Sequence, residues 1–208
     1  GGAELEALDG LLRAGGAANA ARAMNLLLAR ARGAPAAKPV SPSPSLPEFG
    51  LYRAIEGRRG SVAIIFYRSF LLASDVRPID ALFDSLGAAD LGVRAYFVSS
   101  LKLPAAAGWL REELRRNKPD AIVNTTAFSA RGEEGDSPLD DADCTVIQAA
   151  LAGSSEEAWR NSARALSSAD LAMHTVLPEL DGRIFAGAIS FKDRDASGGV
   201  FHNPHREG

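Results

Sequence analysis

The chain has 208 residues, 46% hydrophobic and 24% charged, the balance of a folded globular protein and not of a disordered one. Its 23 basic and 26 acidic residues leave a net charge of −3, so no whole-molecule attraction to nucleic acid or to an anionic membrane is expected. A single cysteine, Cys144, excludes an internal disulfide, and the longest obvious apolar run, Val62 to Tyr67, falls well short of the roughly 18 residues a membrane span needs.

Residues 1–32 are rich in Ala and Leu. Leu5, Leu8, Leu11 and Leu12 share one helical face and Met24, Leu27, Leu28 and Ala31 another, which predicts two short helices broken at Gly15-Gly16, with Asn19 capping the second. The start Gly1-Gly2-Ala3-Glu4 has no initiator Met, basic segment or apolar segment of a secretory signal, and the expectation is a cytoplasmic protein read as a fragment. Residues 33–59 form a semi-rigid linker and domain boundary, because Pro35, Pro39, Pro42, Pro44 and Pro47 remove backbone donors and favour extended chain.

From residue 60 to 193 short apolar runs alternate with amphipathic segments. Val62 to Tyr67 reads as a strand buried on both faces, Val76 to Leu86 as a helix capped by Asp75, Val93 to Val98 as a strand, Pro104 to Arg116 as a helix, and Ala121 to Val123 as a strand. An acidic loop from Ser129 to Asp143 precedes a fourth strand, Thr145 to Ala149. Ser154-Ser155-Glu156-Glu157 and Ser167 to Asp170 then open two helices as capping boxes, Pro178 stops the second, and Arg183 to Ser190 forms a last strand. The expected fold is α/β, a parallel sheet with helices on both faces, flavodoxin-like or Rossmann-like in three layers, preceded by the short N-terminal helices. Residues 194–208 lack any period and read as a loose tail.

Several chemistries are unsupported. There is no G-x-x-x-x-G-K-[ST], no G-x-G-x-x-G after the first strand and no G-x-S-x-G, so any ATP that drives this protein is bound by another chain. No catalytic residue stands out. No metal site is assigned either: His202 and His205 have no third ligand nearby, and the acidic residues Glu133, Glu134, Asp136, Asp140, Asp141 and Asp143 match no cation loop and read as a solvated loop. Cys144 reads as a buried strand residue and His174 as a structural histidine on a helix. The sequon Asn124-Thr125-Thr126 ends a strand and is discounted as a glycosylation site.

In open parallel α/β sheets ligands bind beyond the carboxyl ends of the strands. Those positions are polar in this chain: Arg68 and Ser69, then Ser99, Ser100 and Lys102, then Asn124, Thr125 and Thr126, with Gln148 on the fourth strand. The set suits an anionic, oxygen-rich ligand, with Arg68 able to fork onto a carboxylate. The same hydroxyls and amides also serve turns and helix caps, and both readings stand at this level.

Seven segments, in this order, resemble the family of cobaltochelatase (CobN) and magnesium chelatase large subunits: Phe66-Tyr67-Arg68-Ser69, Pro78-Ile79-Asp80-Ala81-Leu82, Phe97-Val98-Ser99-Ser100-Leu101-Lys102, Asn124-Thr125-Thr126-Ala127-Phe128, Asp170-Leu171-Ala172-Met173, Leu177-Pro178-Glu179-Leu180-Asp181-Gly182-Arg183-Ile184 and Ile189-Ser190-Phe191-Lys192. The resemblance implies an internal fragment of an ATP-dependent tetrapyrrole chelatase, whose large subunit holds macrocycle and metal while AAA+ ATPase subunits hydrolyse ATP. On the cobalt branch, which the third and sixth segments favour, Co²⁺ is inserted into hydrogenobyrinic acid a,c-diamide in aerobic cobalamin biosynthesis; on the other, Mg²⁺ into protoporphyrin IX. Arg68, Lys102 and Lys192 would then pair with carboxylate arms of the substrate, with Ser69, Ser99, Ser100, Asn124, Thr125 and Thr126 as further contacts and Arg68 the foremost. The chain departs from the family at Ser74-Asp75-Val76, where Gly-Asn-Thr or Gly-Gln-Thr is usual, and at His174, where Asn is usual. Two other readings remain, a scaffold that docks ATPase subunits or neighbouring domains, and a sensor domain that binds another small anion.

Overall fold

A short, β-branched apolar run with no polar face suits a strand covered on both sides, and Val62 to Tyr67 lies in one within a seven-stranded sheet. The computed structural model describes residues 2–33, 46–132, 135–163, 165–196 and 198–205. Its strands are β1 (Phe49–Ile55), β2 (Ser61–Tyr67), β3 (Gly92–Val98), β4 (Ala121–Asn124), β5 (Thr145–Leu151), β6 (Ile184–Arg194) and β7 (Val200–Pro204), in the order β1-β3-β2-β4-β5-β6-β7. β3, β2, β4, β5 and β6 are parallel neighbours, while β1 on one edge and β7 on the other are antiparallel. The parallel core therefore has the doubly wound, flavodoxin-like order, and the expected α/β class holds. The antiparallel edges are additions. β1 lies in the stretch read as linker and β7 in the stretch read as tail, because edge strands lack the unbroken apolar run that marks a buried one. Pro35, Pro39, Pro42 and Pro44, like Glu133 and Glu134, lie outside the described residues.

Two units make up the chain. The first, residues 1–47 with 69–74, contains α1 (Gly2–Ala14) and α2 (Ala17–Ala31), an antiparallel-style pair separated at Gly15-Gly16 as expected. Asn19 does not cap α2. Gly16 occupies the N-cap, and the buried Asn19 amide donates from inside the helix to the Gly15 carbonyl at 2.9 Å. The second unit, residues 48–68 and 75–208, is the sheet with its helices.

Alternation sends Ala63, Ile65, Tyr96, Val98 and Ile122 to one face, where Ala106, Leu110 and Leu114 of α5 (Pro104–Arg116) pack on them. α3 (Arg68–Leu72) is a short helix that follows β2 directly, and α4 (Arg77–Ala88) packs against β2 and β3 through Ile79 and Phe83. Among the described residues the β4 to β5 connection contains no α-helix. A loop with one 3₁₀ turn, Asp140–Ala142, takes its place, and Ala130, Leu139 and Ala142 fill the space against α5.

Between β5 and β6 come α6 (Glu156–Arg160), capped by Ser155, and α7 (Ser168–Leu171), capped by Ser167, both as expected. Pro178 does not end the second helix. The chain widens to a π turn over Ala172–Val176 and continues as α8 (Leu177–Leu180) with Pro178 in its first turn. A proline has no N–H to give and its ring crowds the preceding turn, and a wider turn relieves both. β6 runs on beyond Ser190, the last residue paired with β5, and its outer half pairs with β7. Gly187, with φ of 136°, absorbs an irregularity in the β5–β6 register.

Candidate functional site

The order of strands reverses between β2 and β4, so the crevice of this fold lies at their carboxyl ends. Arg68 follows β2, Ser99, Ser100 and Lys102 follow β3, Asn124 ends β4 with Thr125 and Thr126 after it, and Lys192 lies on the outer half of β6. Topology thus carries these eight to one edge of the sheet. Ser69 groups with the unit of α1 and α2.

Asn124, Thr125, Thr126 and Gln148 are sealed from solvent. The Asn124 amide donates to Gln148 Oε1 at 2.8 Å and to the Thr126 carbonyl at 3.2 Å, Gln148 Nε2 donates to that same carbonyl at 2.8 Å, and the Thr126 hydroxyl donates to Asn124 Oδ1 at 3.0 Å. The Thr125 hydroxyl donates to the Ile65 carbonyl at 3.0 Å. Arg183, 2% exposed in its side chain, reaches Gln148 Oε1 at 3.0 Å and pairs with Asp181 at 2.9 Å. Asp181 in turn accepts from the Ser129 hydroxyl and from the Ala130 backbone N–H. Burial draws the Arg183 pKa below its usual value against the opposing pull of Asp181. Tyr67 closes the cluster by donating to the Ala127 carbonyl at 2.8 Å, and burial pushes its phenol up. The cause is the missing helix. A loop laid over a sheet face cannot satisfy its own backbone, so strand-end amides and the Asp181–Arg183 pair do it instead.

The other candidates differ. Arg68 is mostly buried with its guanidinium 3.7 Å from Glu48, and the backbone of Ser99 donates to the Glu48 carbonyl at 2.8 Å. The Ser99 hydroxyl is buried with no hydrogen-bond partner, while Ser100 Oγ accepts from the Lys102 backbone at 3.1 Å and the Lys102 side chain is exposed. Lys192 borders a cavity of about 350 Å³ with Gly153, Ser155, Asp193, Arg194 and Val200.

The β6–β7 hairpin is tied to the start of α4. Asp75, expected as a helix cap, instead accepts the backbone N–H of His202 at 2.9 Å and contacts its Nδ1 at 2.8 Å, and Arg77 stacks 3.8 Å above the ring of Phe201. His205 points elsewhere, into the rings of Trp159 and Phe191. His174 is buried in the π turn with Nδ1 unpartnered, and burial lowers its pKa. Asp170, one turn earlier, accepts from the Gly153 backbone at 3.0 Å and from the Ser167 hydroxyl at 2.8 Å.

The acidic loop is charge-matched and not merely solvated. Asp136 and Asp141 pair with Arg111, Asp141 also with Arg115, and Asp143 with Lys118. Among the described residues no three His, Cys, Asp or Glu side chains are placed to hold a metal ion. Burial raises the Cys144 thiol pKa, the opposite of what a nucleophile needs. No helix among the described residues is long and apolar enough to cross a membrane. Sequence reading missed the Asp75–His202 contact, the Asp181–Arg183 pair and Arg194. The last had a signal, since it sits two residues from Lys192 and so on the same face of a strand.

This is a doubly wound α/β fold with polar and cationic groups along its carboxyl edge, the edge at which folds of this class bind ligands. The chain belongs to the CobN/Magnesium Chelatase family, whose profile matches residues 10–207. It is 38% identical over 135 residues, 64% of its length, to the aerobic cobaltochelatase subunit CobN of Sinorhizobium sp, and 36% identical over 136 residues to that of Pseudomonas aeruginosa. It spans 11% of the length of each of those relatives. The catalytic subunit of cobaltochelatase from Mycobacterium tuberculosis has the same fold over 98% of this chain and 18% of its own, with a TM-score of 0.77 at 22% identity.

Proposed function

We propose that this chain is part of the large, tetrapyrrole-binding subunit of an ATP-dependent cobaltochelatase, which inserts Co²⁺ into hydrogenobyrinic acid a,c-diamide in aerobic cobalamin biosynthesis. The observation that carries the reading is the similarity, at 38% and 36% identity, to two subunits named for aerobic cobaltochelatase. The geometry supports it. A corrinoid precursor is a flat body with carboxylate arms, and Arg68, Lys102 and Lys192 lie along the edge where this fold binds ligands, with Ser99 and Ser100 beside them as donors. Asn124, Thr125 and Thr126 act from below by fixing the floor of that edge. ATP is hydrolysed by AAA+ partner subunits, and Co²⁺ is a substrate of the assembly.

The test is a titration of the 208-residue chain with hydrogenobyrinic acid a,c-diamide and, separately, protoporphyrin IX, following ligand absorbance and quenching of Trp109 and Trp159. Saturable binding of the corrinoid alone is expected, with Arg68→Ala weakening it in a chain that stays folded. Binding of protoporphyrin alone would move the chain to the magnesium branch, and binding of neither by a folded sample would favour a scaffold role.

A further inference from the structure

We propose that the groove at the end of β5, between the first turn of α6 and the β6–β7 hairpin, is a carboxylate site in which Lys192 and Arg194 together take the acidic arms of a ligand. Its identity as a macrocycle site rests on the reading above; the groove itself is argued from its own walls. Lys192 and Arg194 are two positions apart on one face of β6, hence about 7 Å between their α-carbons, and both line the cavity. Neither carries an ion pair among the described residues, whereas Arg53, Arg94, Arg111, Arg115 and Arg183 each have a carboxylate partner.

The carboxylates near the groove are already engaged. Asp193, which also borders the groove, accepts the backbone N–H of Arg194 at 2.8 Å and makes no ion pair with either cation among the described residues. Asp170 lies buried behind Gly153 and is held by the Gly153 N–H and the Ser167 hydroxyl. Ser155 Oγ accepts from Ala158, which leaves its own hydrogen to donate. Val200 adds an exposed apolar wall. Two unpaired cations, a hydroxyl donor and an apolar flank suit an amphipathic polycarboxylate, with Arg194 forking onto one arm and Lys192 meeting another as a point charge.

Amide NMR of the 208-residue chain provides the test, with tricarballylate and hydrogenobyrinic acid a,c-diamide as probes. Tricarballylate is expected to shift the signals of Gly153, Lys192 and Arg194 saturably, and K192Q/R194Q to weaken this at least tenfold. The charge-matched control R58Q/R59Q, at exposed positions on the opposite edge of the sheet, should bind normally. Absence of those shifts, or equal loss in the control, overturns the groove. Tricarballylate binding in the groove without corrinoid binding upholds the groove and fails the corrinoid reading. Corrinoid binding of equal strength in K192Q/R194Q does the reverse.

Discussion

Two polar regions lie on the same sheet and have opposite fates. Around β4, Asn124, Thr126, Gln148, Arg183 and Asp181 bond one another and the backbone of the loop that covers them, and nothing in the cluster faces water. Around β5 and β6, Lys192 and Arg194 border an open groove with no ion pair among the described residues. The connecting segment makes the difference. Where a crossover lacks a helix, strand-end side chains are consumed in satisfying its backbone; where helices cap themselves with Ser155 and Ser167, the strand ends beside them stay available.

The most damaging way to break this contrast is Asp181→Ala. It leaves the Arg183 guanidinium buried without its partner, and a loss of about 3–5 kcal/mol is expected in urea unfolding. Gln148→Leu removes a smaller part, taking one acceptor from the Asn124 amide and from Arg183 and one of two donors from the Thr126 carbonyl, at a cost of about 1–3 kcal/mol by the same assay. A weaker effect is expected of His174. Burial holds its folded pKa below the ordinary 6.5, so the unfolded chain takes up more protons in acid. Stability is then full above about pH 6.5 and declines as pH falls toward the lowered value, and His174→Asn should flatten that part of the pH profile. Least of all, Lys192→Gln with Arg194→Gln should change stability by no more than about 0.5 kcal/mol, since both side chains are exposed. A thermal shift as large as that of Gln148→Leu would sink the contrast.

Much of this was legible in the sequence. Val62 to Tyr67, Val93 to Val98 and Pro104 to Arg116 are elements to within a residue, because buried strands and an amphipathic helix opened by a proline declare themselves by period alone. β1 and β7 were not, since an edge strand shares its residues with water. The placement of Asn124, Thr125 and Thr126 at the carboxyl edge was also legible, but their enclosure depends on Gln148 and Arg183, 24 and 59 residues further along from Asn124, and no local pattern couples those positions. Asp75 shows the same limit: a carboxylate just before a helix looks like a cap until a distant histidine claims it.

That contact between Asp75 and His202 joins residues 127 positions apart. Bringing the ends of so long a loop together costs roughly 4 kcal/mol of chain entropy, which a single contact formed early could not recover. That cost leads us to expect the β6–β7 hairpin to seat after the β2–β3–β4 sheet has formed. Because Lys192 and Arg194 are carried on that hairpin, the groove would be completed last, and the sheet that forms before it has only the candidate cations Arg68 and Lys102 along its carboxyl edge.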